Sequence, residues 1–128
     1  MKEFAAVEWR RAKTALCSAQ TLAEADPDSA ASRAYYAAFH AVTALFALRG
    51  QSYSKHSALR AAVHSELVHR GVWAPELGNA YDALLDLRAT GDYGGLEQVA
   101  ASGAMEAVEM ARRILGAVAR ICPELADG

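Results

Sequence analysis

Between Ser29 and Arg49 the chain has the spacing of a helix but no broad face fit for water. At about 100° per residue, Ser32, Tyr36, Phe39, Thr43 and Phe46 fall on one face. Tyr35 and Val42 extend that face on one side, and Arg33 and His40 flank it on the other. The opposite side carries Ala34, Ala38, Ala41, Leu45 and Leu48. A helix without a solvated side must be covered by neighbours, so this one is expected at the centre of a helical bundle.

The rest of the chain supplies the neighbours. A first helix is expected over Lys2–Glu24, with Trp9, Ala12, Leu16, Ala19 and Ala23 at helical spacing and Arg10, Arg11 and Lys13 beside them. Asp26-Pro27-Asp28-Ser29 reads as a turn with capping residues for the central helix, and Gly50 as that helix's stop. A third helix is expected from Ser54 to Arg70, before Gly71, with Leu59, Val63 and Leu67 as its apolar stripe. A fourth opens at Pro75 and ends at Thr90-Gly91; Leu77, Tyr81, Leu84 and Arg88 share a narrow arc on it. A fifth runs from about Leu96 to Ile121, burying Val108, Ala111, Leu115, Val118 and Cys122. The three prolines sit at helix edges, Pro123 closing the last helix, and no Val/Ile/Thr-rich alternation suggests a strand. The expected fold is all-α, an antiparallel up-and-down bundle of about five helices.

A chain of 128 residues is one domain's worth, here read as 1–128, and is long enough for a core without disulfides or metal. Its net charge of -2 argues against nucleic-acid binding through bulk charge and leaves only a local basic patch. Cys17 and Cys122 are not at metal spacing and read as buried thiols. Met1-Lys2-Glu3-Phe4 lacks the apolar run of a signal peptide, and no run is long enough to span a membrane. The expected location is the cytoplasm.

Three groups of residues have chemistry to offer. Ser32, Tyr36 and His40, at i, i+4 and i+8, make a polar seam along an aromatic face. Tyrosines packed by their rings and bonded at their tips explain such a seam; a pocket or interface is the sharper alternative. Arg88 lies on an apolar arc, where an unpaired charge is costly. Asp92, one turn on, is the natural partner, and a direct contact is expected, with Tyr93 turned back toward the bundle. The functional alternative for Arg88 is a phosphate, which its planar fork suits. Lys55, His56, Arg60 and His64 form a basic stripe that is either a solvated face or a weak RNA contact. Zinc at His40, His56 or His64 is disfavoured for want of ligand spacing, and no cofactor motif is found.

Ser32-Arg33-x-Tyr35-Tyr36-Ala37-x-Phe39-His40, then Gly50, Lys55-His56-Ser57, Gly71 and Leu87-Arg88-x3-Asp92-Tyr93 together resemble the HEPN family of small helical proteins. The order and spacing look like the subgroup with an Arg-x3-Asp-Tyr ending. The resemblance covers most of the chain. It implies a helical bundle that dimerises and accompanies a minimal nucleotidyltransferase, as in toxin–antitoxin pairs. Many members are metal-independent ribonucleases with an Arg-x(4–6)-His motif, in which the arginine holds the scissile phosphate and the histidine moves a proton. By position Arg88 matches the arginine, but Tyr93 stands where the histidine is expected. A tyrosine, with a pKa of roughly 10, is a poor general base near neutrality. Arg33–His40 and Arg49–His56 also meet the bare spacing, of which chance supplies about one match in a chain of this composition, so the bare pattern is a weak signal. Arg33 and His40 would need a cleft to converge on one phosphate.

The reading is therefore a HEPN-like homodimer that pairs with a minimal nucleotidyltransferase and binds nucleotide or RNA, with little or no RNA cleavage. Its candidate binding residues are Arg33, Tyr36, His40, Lys55, His56, Arg88, Asp92 and Tyr93. The alternative is a metal-independent endoribonuclease using Arg88 with a histidine such as His40 or His56.

Overall fold

The computed structural model describes residues 1–95 and 97–126. The elements are α1 (Lys2–Leu22), α2 (Pro27–Leu48), α3 (His56–Ala62) continued by a π-helical segment (Val63–Val68), α4 (Pro75–Tyr93), α5 (Ala101–Ile121) and the single turn α6 (Pro123–Ala126). Among the described residues there is no strand. The fold is an all-α bundle.

As the patterning requires, α2 is central, packing on α1, α4 and α5. Its alanines at 34, 37, 38, 41 and 44 are fully buried, which lets the neighbouring helices approach closely. Tyr35, Val42, Leu45 and Phe46 fill the space between them. Pro27 belongs to the helix rather than to the turn before it. Asp26 caps it, its side chain accepting from Ser29 N–H at 3.3 Å, and proline needs no partner at this first position. At the other end Gly50 adopts φ 74°, with Gly50 N–H donating to Ala47 O and Gln51 N–H to Phe46 O. This is a Schellman stop, and Gly71 repeats it after the π segment.

Several boundaries differ from expectation. The third helix starts at His56, and its second half widens into a π turn, with His69 N–H reaching back five residues to His64 O. Side-chain periodicity does not reveal so local a change in pitch. The fourth helix runs past Gly91 to Tyr93. Gly91 is not a terminator; a Cβ there would lie 2.6 Å from Asp28 O, so its bareness lets α4 close on the start of α2. Asp28 also accepts from Val99 N–H at 2.8 Å, tying the α4–α5 connection to the same place. The fifth helix begins at Ala101; residues 97–100 are not helical, and the expected start at Leu96 lies outside the described residues. Pro123 opens α6 instead of closing α5. Cys122 is buried as expected, whereas Cys17 is exposed on the outer side of α1.

The basic stripe of the third helix is only partly solvated and is not continuous. Arg60 Nε donates to Asp82 Oδ1 at 2.8 Å, and His64 Nε2 lies 3.0 Å from the same oxygen, clamping α3 and its π extension to α4. Burial would raise the Asp82 carboxyl, but hydrogen bonds from His64 and Arg60 outweigh it and hold the group below the usual carboxylate range. A depressed folded-state pKa contributes stability that is complete above the unfolded value of about 4 and lost as pH falls through the folded one. Asp82→Asn should therefore flatten the fall of unfolding free energy with pH below about 4, and an unchanged slope in urea titrations would show that the clamp contributes nothing.

Candidate nucleic-acid interface

Arg88 follows Leu84 by one turn on the buried arc of α4, so its side chain leaves the core at the point where α4 crosses the aromatic face of α2. Its side chain keeps only 18% exposure. Nη2 donates to the Tyr36 hydroxyl at 3.1 Å. The guanidinium carbon stands 5.7 Å from the Tyr35 ring, 5.5 Å from Tyr36 and 5.6 Å from Tyr93, all within cation–π range. Nε is 3.1 Å from Asp92 Oδ2, the contact expected from the spacing. The N–H is not aligned on that oxygen, so Nε is buried with an ion-pair neighbour but without a formed hydrogen bond. Burial works against the charge, while Tyr36, Tyr93 and Asp92 raise the pKa, and Arg88 stays cationic. The result is a charged fork with donor capacity left over.

Tyr93 is not turned back into the bundle; it is 73% exposed. Because α4 continues through it, its direction is set by the helix, and a residue five positions after Arg88 points well away from the buried arc. Its ring still reaches the guanidinium from the solvent side.

The structure joins His56 to this cluster. Its ring lies 4.7 Å from Phe39, 5.6 Å from Tyr35 and 6.0 Å from Tyr36, centroid to centroid. The Tyr35 hydroxyl and His56 Nδ1 share a hydrogen bond of 2.6 Å. Burial, and then the nearby Arg88 charge, push the His56 pKa down, so the ring is neutral at neutral pH. Burial pushes the Tyr35 phenol up, and the phenol keeps its proton. Behind Tyr35, the buried Tyr81 hydroxyl lies beside the Tyr35 hydroxyl without a well-formed hydrogen bond, and burial, then the neighbouring Tyr35 phenol, raises its pKa well above the usual range. A hydroxyl with only a poorly aligned contact to Tyr35 contributes little, so Tyr81→Phe is expected to change urea stability by less than about 1 kcal/mol; a larger loss would reveal a formed Tyr35–Tyr81 hydrogen bond.

The remaining sequence candidates divide. Arg33 is exposed and stands 5.1 Å over the Tyr36 ring, so it joins the cluster. His40 is adjacent, 6.2 Å from Tyr36 ring to ring, but its Nδ1 faces Glu8 Oε2 at 3.2 Å on α1. Lys55 is exposed at the start of α3 and forms no ion pair among the described residues. The sequence pattern alone did not single out Glu8, which is only 5% exposed and is held by Arg11 at 3.1 Å as well as by His40. A signal was available, since Glu8 falls on the buried stripe of Ala5, Ala12, Ala15 and Ala19. Three of the four histidines face separate partners, His40 beside Glu8 without a formed hydrogen bond, His56 bonded to Tyr35 and His64 to Asp82. Among the described residues no three His, Cys, Asp or Glu side chains gather as metal ligands.

Chemically, this face offers aromatic rings that are half open to solvent, a cationic fork with unfilled donors and a neutral imidazole. Comparison with known proteins agrees with the family resemblance. A "UPF0332 protein" of Thermotoga maritima is 36% identical over 117 residues, which span 91% of this chain and 89% of the relative. The profile of the HEPN domain matches residues 6–121, a span holding every helix that builds this face, and the chain belongs to the HEPN domain family.

Proposed function

We propose that this HEPN-family chain is a single-domain module that binds single-stranded RNA, or a nucleotide as its minimal unit, through the Arg88 face. In this reading it acts as a cytoplasmic homodimer beside a minimal nucleotidyltransferase, in a pair of the toxin–antitoxin type. The observation that carries the binding reading is Arg88 itself, a cation with one aligned hydrogen bond among three tyrosine rings. Arginine's fork matches a phosphate, and half-exposed aromatic faces accept bases of any sequence. Arg33 over Tyr36 adds a second cation beside the same ring. With a net charge of -2, attraction to RNA is local to this face.

The homodimer and the nucleotidyltransferase partner rest on family membership. The half-exposed Phe39 and Thr43 on α2 are the strip we assign to the contact between copies, with Tyr36 left at its open rim. Sedimentation at micromolar concentration should give twice the chain mass of 13.6 kDa, and a monomer would rule the dimer out. No helix of the described residues is long and apolar enough to cross a membrane.

A second reading, a metal-independent endoribonuclease, is favoured by His56 rather than by His40. His56 is close enough to feel the Arg88 charge and is neutral. In the tautomer that donates Nδ1–H to the Tyr35 oxygen, its Nε2 is a base. Tyr93, in the slot of the expected histidine, argues the other way, and binding without cleavage is the expected behaviour. Fluorescence anisotropy with labelled single-stranded RNA tests the binding, with strand integrity in EDTA read alongside.

A further inference from the structure

Arg33 and His40 sit two turns apart on α2, and the structure supplies the cleft that their convergence requires. Between α1 and α2 lies an open hollow of about 390 Å³ lined by both residues and, from α1, by Arg10, Arg11, Thr14 and Ser18. Arg10, Thr14 and Ser18 follow one another at i, i+4 and i+8, so they form a ridge along one wall, roughly 12 Å long at the rise of an α-helix. Arg33 and His40 stand opposite. No acidic side chain lines the hollow. Arg10 and Arg33 are exposed and make no ion pair among the described residues. Glu8, close to the hollow, is buried, held by Arg11 at 3.1 Å and faced by His40 Nδ1 at 3.2 Å. The hollow therefore presents a net positive, hydroxyl-lined floor on a protein whose overall charge is negative.

Arg33 also lines a second hollow, of about 300 Å³, together with Ser29, Ser32 and Asp92. Asp92 is the carboxylate beside Arg88. Arg33 is thus the hinge between two depressions, and its guanidinium lies over Tyr36, which itself accepts from Arg88. The arrangement makes one path, from Arg88 and Tyr36 past Arg33 into the α1–α2 hollow.

We propose that the α1–α2 hollow, through Arg10, Arg11, Arg33 and His40, holds the phosphodiester backbone of a single-stranded RNA whose bases stack at Tyr36. This rests on the RNA-binding reading of the Arg88 face and extends it to a second region of phosphate contact. RNA is favoured over an acidic peptide because the cations adjoin an aromatic platform. Stacking rings interleaved with basic groups suit a strand of bases and phosphates, whereas carboxylates need only the charge.

The test is anisotropy with labelled single-stranded RNA of mixed sequence, titrated at several salt concentrations, for the wild type, Arg10→Glu and Arg88→Ala. Arg10→Glu should weaken binding roughly tenfold or more and make the log–log salt slope shallower by about 0.7 for each phosphate that is no longer neutralised. Its thermal unfolding should match the wild type, because Arg10 is exposed and unpaired. Binding unchanged in Arg10→Glu but abolished in Arg88→Ala overturns this inference and leaves the RNA-binding reading standing. A wild type that binds no RNA overturns both. Polyglutamate that displaces the RNA as well as unlabelled RNA does, and that also binds more weakly to Arg10→Glu, overturns the assignment to RNA in favour of an acidic protein segment.

Discussion

Replacing Arg88 by alanine is expected to lower affinity for single-stranded RNA by about 10- to 100-fold, the equivalent of roughly 1.5–3 kcal/mol for a charge-assisted hydrogen bond. The same change should destabilise the fold by on the order of 1–3 kcal/mol. Arg88 holds the end of α4 to α2 through Tyr36, neutralises Asp92 and covers three aromatic rings. Alanine removes all of these and leaves the Asp92 charge and the Tyr36 hydroxyl without that partner. Arg88→Lys separates the two effects. An ammonium keeps the charge and much of the packing but loses the planar fork, so stability should recover more than affinity does. Urea unfolding beside anisotropy gives both quantities. An Arg88→Ala protein with wild-type stability would show that the Tyr36 and Asp92 interactions hold nothing together.

A larger loss of stability is expected at Tyr35. Its ring is fully buried in the middle of α2 and meets Tyr36, Phe39, Tyr81 and His56. Truncating a buried aromatic costs about 3–5 kcal/mol in transfer energy and residual cavity. That is a large share of the roughly 5–15 kcal/mol that a domain of this kind commands. Tyr35→Ala should therefore shift the urea midpoint far down, and a loss below about 1 kcal/mol would mean that the site can collapse around the deletion. Tyr35→Phe isolates the hydroxyl. It should cost only about 0.5–1.5 kcal/mol, because the half-exposed His56 can take water in place of the phenol. The ring therefore belongs to the core and its hydroxyl to the site, so the α2 segment that forms the centre of the bundle also carries the candidate interface.

That double use explains what was legible in the sequence. The all-helical fold and the central place of α2 follow from periodicity and from the lack of a solvated face, which report burial directly. The Arg88–Asp92 contact follows from a four-residue spacing within one helix. What could not be read depends on how helices meet. No local pattern says that Tyr36 accepts from Arg88, 52 residues away, or that His56 lies within reach of its charge. The basic stripe of the third helix looked continuous, yet a π turn and Asp82 on α4 divide it, with Arg60 and His64 bound to the carboxylate and His56 turned to Tyr35. Tyr93 was expected to turn back toward the bundle, and the fourth helix was expected to end at Thr90-Gly91. The glycine instead serves the close approach to Asp28 and lets the helix run on. The hollow that unites Arg33 and His40 comes from α1, whose arginines looked like ordinary flanking charges.

Incubation of the protein with labelled single-stranded RNA in EDTA, with bound fraction and strand length read from the same sample, tests the central claim most directly. The expected result is RNA that is bound and intact with the wild type, and unbound and intact with Arg88→Ala. RNA left free by the wild type, or RNA cut by the wild type and spared by both Arg88→Ala and His56→Ala, would contradict the claim.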